Sequence, residues 1–578
     1  MRFDLFRLGR IFYAMSLALL LAACGGGGGD NNDGGPNNPA PVAGDCMGTG
    51  SVMISGVVEY EFVPAVDTGT GAKLDYAASE FRPIRGGEVR AIAANGSETY
   101  SSAVTGEQGE YCLTVPENVS VTIRVRATMP GMGVSVVDNT RNQAIWSAQG
   151  ESIDSGTGSL EVNLRAASGW GGSGYSSTRA AAPFAILDSV YTAMQKVRQV
   201  DPDVNFPALK LNWSPENRSC TGGSFPFSDG CIGTSFYANY GGSAGRNIFI
   251  LGNAGIDTDE YDNHVVIHEW GHYYEDAFAR SDSIGGAHGG GDALDPRVAF
   301  GEGWGNAFSG ITTDDPVYVD TQGNNQANGF IINVEDGFEG AMGWWNEATV
   351  QEIIYDLYDS TPSEDAAALG FAPIHAVLTG GQRNTSAMTT IFSFIHFLKQ
   401  YPGISAADIR DVVASHDIAV INDEWGDSRD NGTLLGAGGD DGSEFGAGYE
   451  DYVSPVYVNL LTVTDNHSIN VCTTNAVDPA SASEYNRLGV RRFLRFEVGT
   501  SGEWLITLAG AAGSDPDFYV RLNGENVASG EETGTTEIET ASLSSGRIYV
   551  IEVLDWDNAD DDSASGGTSC LDLTFEQN

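Results

Sequence analysis

DNHVVIHEWGHYYEDAFAR, residues 262–280, carries three of the chain's 8 histidines, His264, His268 and His272. His268, Glu269, Trp270, Gly271 and His272 spell H-E-x-x-H. In a helix, residues four apart share a face with Cβ atoms roughly 5–6 Å apart, so two imidazoles so placed can hold one zinc ion. Glu269, one position round the helix, can reach a water on that ion. The metal lowers the water's pKa to about 7, and Glu269 takes its proton as general base. A helix is expected here: Asp257 and Glu260 resemble a capping box, and Val265, Val266, Ile267, Trp270 and Phe278 supply an apolar surface. His264, one turn before His268, reads as a surface residue at the helix start.

Two histidines are one short of the usual catalytic set of three protein ligands plus water. The longer pattern H-E-x-x-H-x-x-G-x-x-H fails, because position 275 is glutamate and position 278 is phenylalanine. The best third donor is Glu302 in DPRVAFGEGWGNAF (295–308), where Asp295 and Pro296 read as the cap and first residue of a second helix. His288, in the loop GGAHGGGD (285–292), is the alternative donor. HEWGH followed by GEGW (Gly301, Glu302, Gly303, Trp304) resembles the gluzincin metallopeptidases of the thermolysin-like clan, most closely the fungalysin family. The resemblance covers about residues 260–310, with a weaker echo in VQEIIYDLYD (350–359), and implies a zinc endopeptidase with His268, His272 and Glu302 as ligands.

Two residues depart from that family's pattern. Asn306 stands where such peptidases commonly carry an aspartate that orients a ligand histidine; an amide accepts a hydrogen bond there but adds no charge. The helix WNEATVQEIIYDLYD (345–359) brings no histidine for the oxyanion, so either the zinc bears much of that charge or a tyrosine or His375 substitutes. His396, in a nearly all-apolar helix, reads as a core residue, and the strand NIFILG (247–252) as either a core strand or an edge that holds an extended peptide.

The remainder places this catalytic block in context. A basic start, MRFDLFRLGR, an apolar run at 11–23 and Leu21-Ala22-Ala23 before Cys24 resemble a bacterial lipoprotein signal, with Cys24 lipidated and 25–44 a Gly- and Asn-rich tether. The expected location is therefore outside the cytoplasm, lipid-anchored in the outer membrane or at the cell surface, or released from it. Six further cysteines suit an oxidising compartment, and domain layout favours Cys46 with Cys112, Cys220 with Cys231, and Cys472 with Cys570. With 29 basic against 78 acidic residues the net charge is -49, which repels nucleic acid and anionic membrane surfaces. Protein or peptide substrates are the expected partners, with membrane contact through the lipid alone. Calcium is a second candidate cofactor, at acidic runs such as DWDNADDD (555–562), although no EF-hand spacing is present.

Hydrophobic period separates three folded blocks, and the fold class expected is multidomain. Val52, Ile54, Val58, Tyr60 and Phe62, then Val119, Val121, Ile123 and Val125, alternate with polar or small residues, so 46–168 reads as a β-sandwich. PIRGGEV and GEYCLTVP are loosely similar to transthyretin-like or carboxypeptidase-regulatory-like modules. Residues 169–460 read as a mainly helical α+β thermolysin-like metallopeptidase domain, with helices at 179–200, 345–359 and 386–400 and one strand at 247–252. Residues 461–578 read as a second, jelly-roll-like β-sandwich, where DPDFYVRLNG and GRIYVIEVLDW resemble the pre-peptidase C-terminal family. The chain is thus expected to be an exported zinc metalloendopeptidase with Glu269 as base. The alternative is a surface or adhesion protein on a peptidase scaffold, with weak or no activity.

Overall fold

The computed structural model describes residues 46–578 apart from 337–339, 341, 360–366, 417, 419, 427–452, 454, 478–483 and 561–566. The signal, the tether and Cys24 lie outside the described residues, as do the loop at 436–448 and the last two residues of DWDNADDD. Among the described residues no helix is long and apolar enough to cross a membrane. The protein is multidomain and sheet-rich, and it divides into two compact units: residues 1–273 with 317–332, and residues 274–316 with 333–578.

In the first unit, strand β1 (Val52–Phe62) buries alternate residues, as its sequence pattern requires. It pairs antiparallel with Glu110–Val115 and Glu80–Pro83, and parallel with Leu160–Glu161 and Leu164–Ala166. A second five-stranded sheet contains Ser120–Arg126, with Val121, Ile123 and Val125 buried. Cys46 and Cys112 are joined, which ties the first described residue to β1's partner strand.

The third sheet departs from the expected layout. Strand β2 (Val134–Asp138), expected in the first β block, pairs parallel with β3 (Leu209–Trp213), which pairs parallel with β4 (Arg246–Ile250). Parallel neighbours need a crossover, and helix α1 (Ala182–Val200) supplies it between β2 and β3. Strand β5 (Phe236–Asn239) precedes β4 in sequence and flanks it antiparallel at the edge of the sheet. The central block therefore carries several strands where one was expected. NIFILG is an interior strand, so its peptide-holding edge reading fails and the edge position belongs to Phe236–Asn239. Strand β6 (Asp257–Thr258) pairs with strand β7 (Val317–Gln322) in a separate small sheet. Cys220 and Cys231 are joined.

Helix α2 (Asn263–Phe278) runs through HEWGH; its residues to Tyr273 fall in the first unit and those from Tyr274 in the second. The capping box read at Asp257 and Glu260 is not formed: Asp257 is a strand residue, Glu260 is ion-paired to Arg179, and the helix starts at Asn263. In the second unit, α3 (Pro296–Thr313) begins as expected, with Asp295 accepting from the Arg297 N–H and Pro296 in the first turn. Helix α4 (Glu347–Tyr358) is capped by Asn346 and packs closely on α3. A Cβ at Gly303 would lie 2.7 Å from Val350 Cβ, and one at Gly310 2.8 Å from Tyr355, so both glycines permit the approach. Helices α5 (Phe371–Val377), α6 (Ile391–Leu398) and α7 (Ala406–Ser415) complete the helical part.

The C-terminal residues form a five-stranded and a four-stranded sheet around a core of Leu494, Phe496, Trp504, Ile506, Phe518 and Leu573 among others. Residues 504–508, 518–522 and 571–575 lie in these strands, and Trp504, Ile506, Leu508, Phe518, Val520, Leu571, Leu573 and Phe575 are buried. Cys472 and Cys570 are directly opposed on paired strands and are joined.

Candidate functional site

Helix α2 sets the geometry of the two histidines. Their Nε2 atoms lie 3.1 Å apart with the rings nearly perpendicular, at 85°. Two nitrogens bound to one tetrahedral zinc at about 2.0–2.1 Å are about 3.3 Å apart, so the pair is pre-arranged for a single ion. Both rings are half-buried, and Glu269 between them is 8% exposed. The helix is wedged by aromatics on its other faces: Trp270 meets Phe206, Tyr273 meets Tyr237 of β5, and the Tyr273 hydroxyl donates to the Pro207 carbonyl at 2.7 Å.

Beyond Tyr273, Tyr274 packs on Trp304 and Phe308 of α3, with ring centroids 5.3 and 5.7 Å away. Glu302 is on that same helix, 8% exposed. His268 and His272 fall in the first unit and Glu302 in the second. Two imidazole nitrogens and one carboxylate oxygen make a donor set that fits zinc. Asn306 is buried one turn after Glu302.

The other histidines divide differently from expectation. His288 sits between two carboxylates, its Nε2 3.3 Å from Glu302 and its Nδ1 2.5 Å from Glu347. Read from its loop as the alternative donor in place of Glu302, it instead contacts the Glu302 carboxylate, and the Gly-rich loop around it gave no sign of that contact. Burial disfavours its charged ring, but the Glu302 and Glu347 carboxylates outweigh that and raise its pKa well above the usual range. His264 is buried against Tyr318, at 5.5 Å between rings, and is not a surface residue. His396 is half-buried and contacts Gln400 at 2.7 Å, so it is not core. His375 is held by the Tyr274 hydroxyl at 2.8 Å. Tyr274 is two residues, about 200° of helix, past His272, which puts that contact on the face away from the metal ligands.

Tyr318, on β7, has its ring 6.4 Å from that of His268 between centroids. Burial, then the charges of Asp320 and Glu269, raise its pKa well above the ordinary value, so its hydroxyl stays protonated and able to donate. Sequence alone offered a tyrosine for the oxyanion but no means of choosing one.

No family model matches the chain, and no curated protein matches it. Among solved structures it is similar to the pre-peptidase C-terminal domain of a collagenase from Bacillus anthracis, 13% identical, covering 21% of this chain and 96% of that one with a TM-score of 0.16. A periplasmic inhibitor of g-type lysozyme from Aeromonas hydrophila is similar at 14% identity, covering 21% of this chain and 100% of that one with a TM-score of 0.13. Likenesses this slight do not bear on activity.

Proposed function

We propose that the chain is a zinc metallopeptidase of the thermolysin-like kind, with His268, His272 and Glu302 as metal ligands and Glu269 as general base. The observation that carries this reading is the His268 and His272 pair, with Nε2 atoms 3.1 Å apart on one helix and Glu269 on the turn between them. A bound zinc would acidify a water and polarise a peptide carbonyl. Glu269 takes the proton from the attacking water and passes it to the leaving amine. Tyr318 donates its hydroxyl hydrogen to the oxyanion, the task that no histidine of α4 can take. His288 and Glu347 hold the Glu302 carboxylate in place. An extended substrate pairs with the edge strand β5, whose Tyr237 lies against Tyr273 beside His272.

Glu269→Gln in the full chain decides between this and the reading as an inactive zinc-binding surface protein. The peptidase reading expects hydrolysis of a quenched-fluorescence peptide library to fall by about 10³-fold or more with one zinc per chain retained. Chelator-sensitive hydrolysis that survives the substitution, or a parent chain without zinc, contradicts it. A parent that holds zinc and cleaves nothing supports the inactive alternative.

A further inference from the structure

The segment DTDEYD, residues 257–262, precedes helix α2 and carries four carboxylates, three of them buried and Asp257 half-buried. Two have conventional partners. Glu260 is ion-paired to Arg179, and Asp262 accepts from the Thr321 N–H at 2.9 Å and the Thr321 hydroxyl at 2.8 Å. The other two are treated differently. Asp257 pairs antiparallel with Gln322 of β7, the strand that carries Asp320, and Asp259 follows directly after β6. The three carboxylates converge, each offering an oxygen within 4.8 Å of the other two.

Asp259 is 3% exposed, and although its Oδ2 accepts from the Ser235 hydroxyl, its Oδ1 is shut from solvent and accepts no hydrogen bond. The Oδ1 atoms of Asp257 and Asp320 are likewise enclosed and without a donor. Three converging carboxylates, each with an enclosed oxygen that accepts no hydrogen bond, lack a positive group among them. We propose that Asp257, Asp259 and Asp320 form a binding site for a hard divalent cation, calcium by its all-oxygen donors, separate from the histidine site. Oxygen donors at about 2.3–2.6 Å suit calcium, and the lack of nitrogen or sulfur disfavours zinc. Such an ion would clamp β6 to β7 and fix the chain just before helix α2, whatever reaction that helix serves.

The test compares the full chain with its Asp320→Asn and Asp257→Asn variants, all in zinc-containing buffer, with and without calcium chloride. Each substitution removes a buried repulsion, so without calcium the variants should melt at or above the parent's temperature. With millimolar calcium the parent should rise by about 4 °C or more and overtake them, and the variants should respond far less. Equilibrium dialysis with radioactive calcium should show one fewer bound ion in each variant. A parent whose melting ignores calcium, or variants that keep the same calcium response and stoichiometry, overturns the proposal. Variants less stable than the parent without calcium also overturn it, since the carboxylates would then share protons as an ordinary buried network.

Discussion

Two groups of buried carboxylates in this molecule meet opposite fates. Glu552, in the strand Tyr549–Asp555, is enclosed with Arg297 of α3 at 2.8 Å, Arg491 at 2.9 Å and Arg521 at 3.5 Å. Arg297 also grips Asp295, the cap of α3, at 2.9 Å. Burial alone would push the Glu552 carboxyl up, but the guanidiniums of Arg297, Arg521 and Arg491 hold it down to about 2. At Asp257, Asp259 and Asp320 burial also acts first and pushes each above its usual range; carboxylate charges add to it at Asp259 and Asp320, while hydrogen bonds with Asp259 and the Thr258 backbone offset part of it at Asp257. The difference is who supplies the cation. Glu302 falls between the two, with the protein's His288 at 3.3 Å on one side and the proposed zinc as its other partner.

The comparison can be broken most severely at Glu552. Glu552→Gln should destabilise the fold by about 3–5 kcal/mol, because Arg297 and Arg491 stay buried without their anion, as urea melts at pH 7 would measure. The parent's acid response follows from the same residue. Its carboxyl titrates lower in the folded chain, at about 2, than the ordinary 4.5, so its contribution is fully present above pH 4.5 and lost as pH falls towards 2. A shift of that size is worth about 3 kcal/mol. The Gln variant should lose this part of the acid dependence, and an unchanged acid limb would show that the arginines do not set the titration.

A smaller effect sharpens the middle case. His288→Ala should weaken zinc affinity by about 10–100-fold, measured by chelator competition, while leaving one zinc site per chain. Unchanged affinity would mean that Glu302 needs no support from the loop.

What was legible in the sequence was local. HEWGH and the Asp295-Pro296 helix start depend on residues within one or two turns, and alternation marks strands wherever one face is buried. The three disulfide pairs were likewise readable from the layout of blocks along the chain, and they are those formed. What failed depended on partners far along the chain. DTDEYD looks like a helix start until β7 arrives to pair with it, and nothing near Asp257 announces Asp320. His288 in its glycine loop had no pattern at all, since its meaning comes from Glu302 and Glu347 on two different helices. The interior position of NIFILG was missed for a different reason: the strand that covers its edge, Phe236–Asn239, lies just before it in the chain but was not read as a strand.

The central claim is that the two groups of side chains are metal sites of two chemical kinds. Anomalous difference maps from crystals of the full chain grown with zinc and calcium, collected above and below the zinc absorption edge, test it directly. The account predicts an edge-dependent peak among His268, His272 and Glu302, and an edge-independent one among Asp257, Asp259 and Asp320. Protein density without either peak, or with Glu302 turned away from the two histidines, would contradict it.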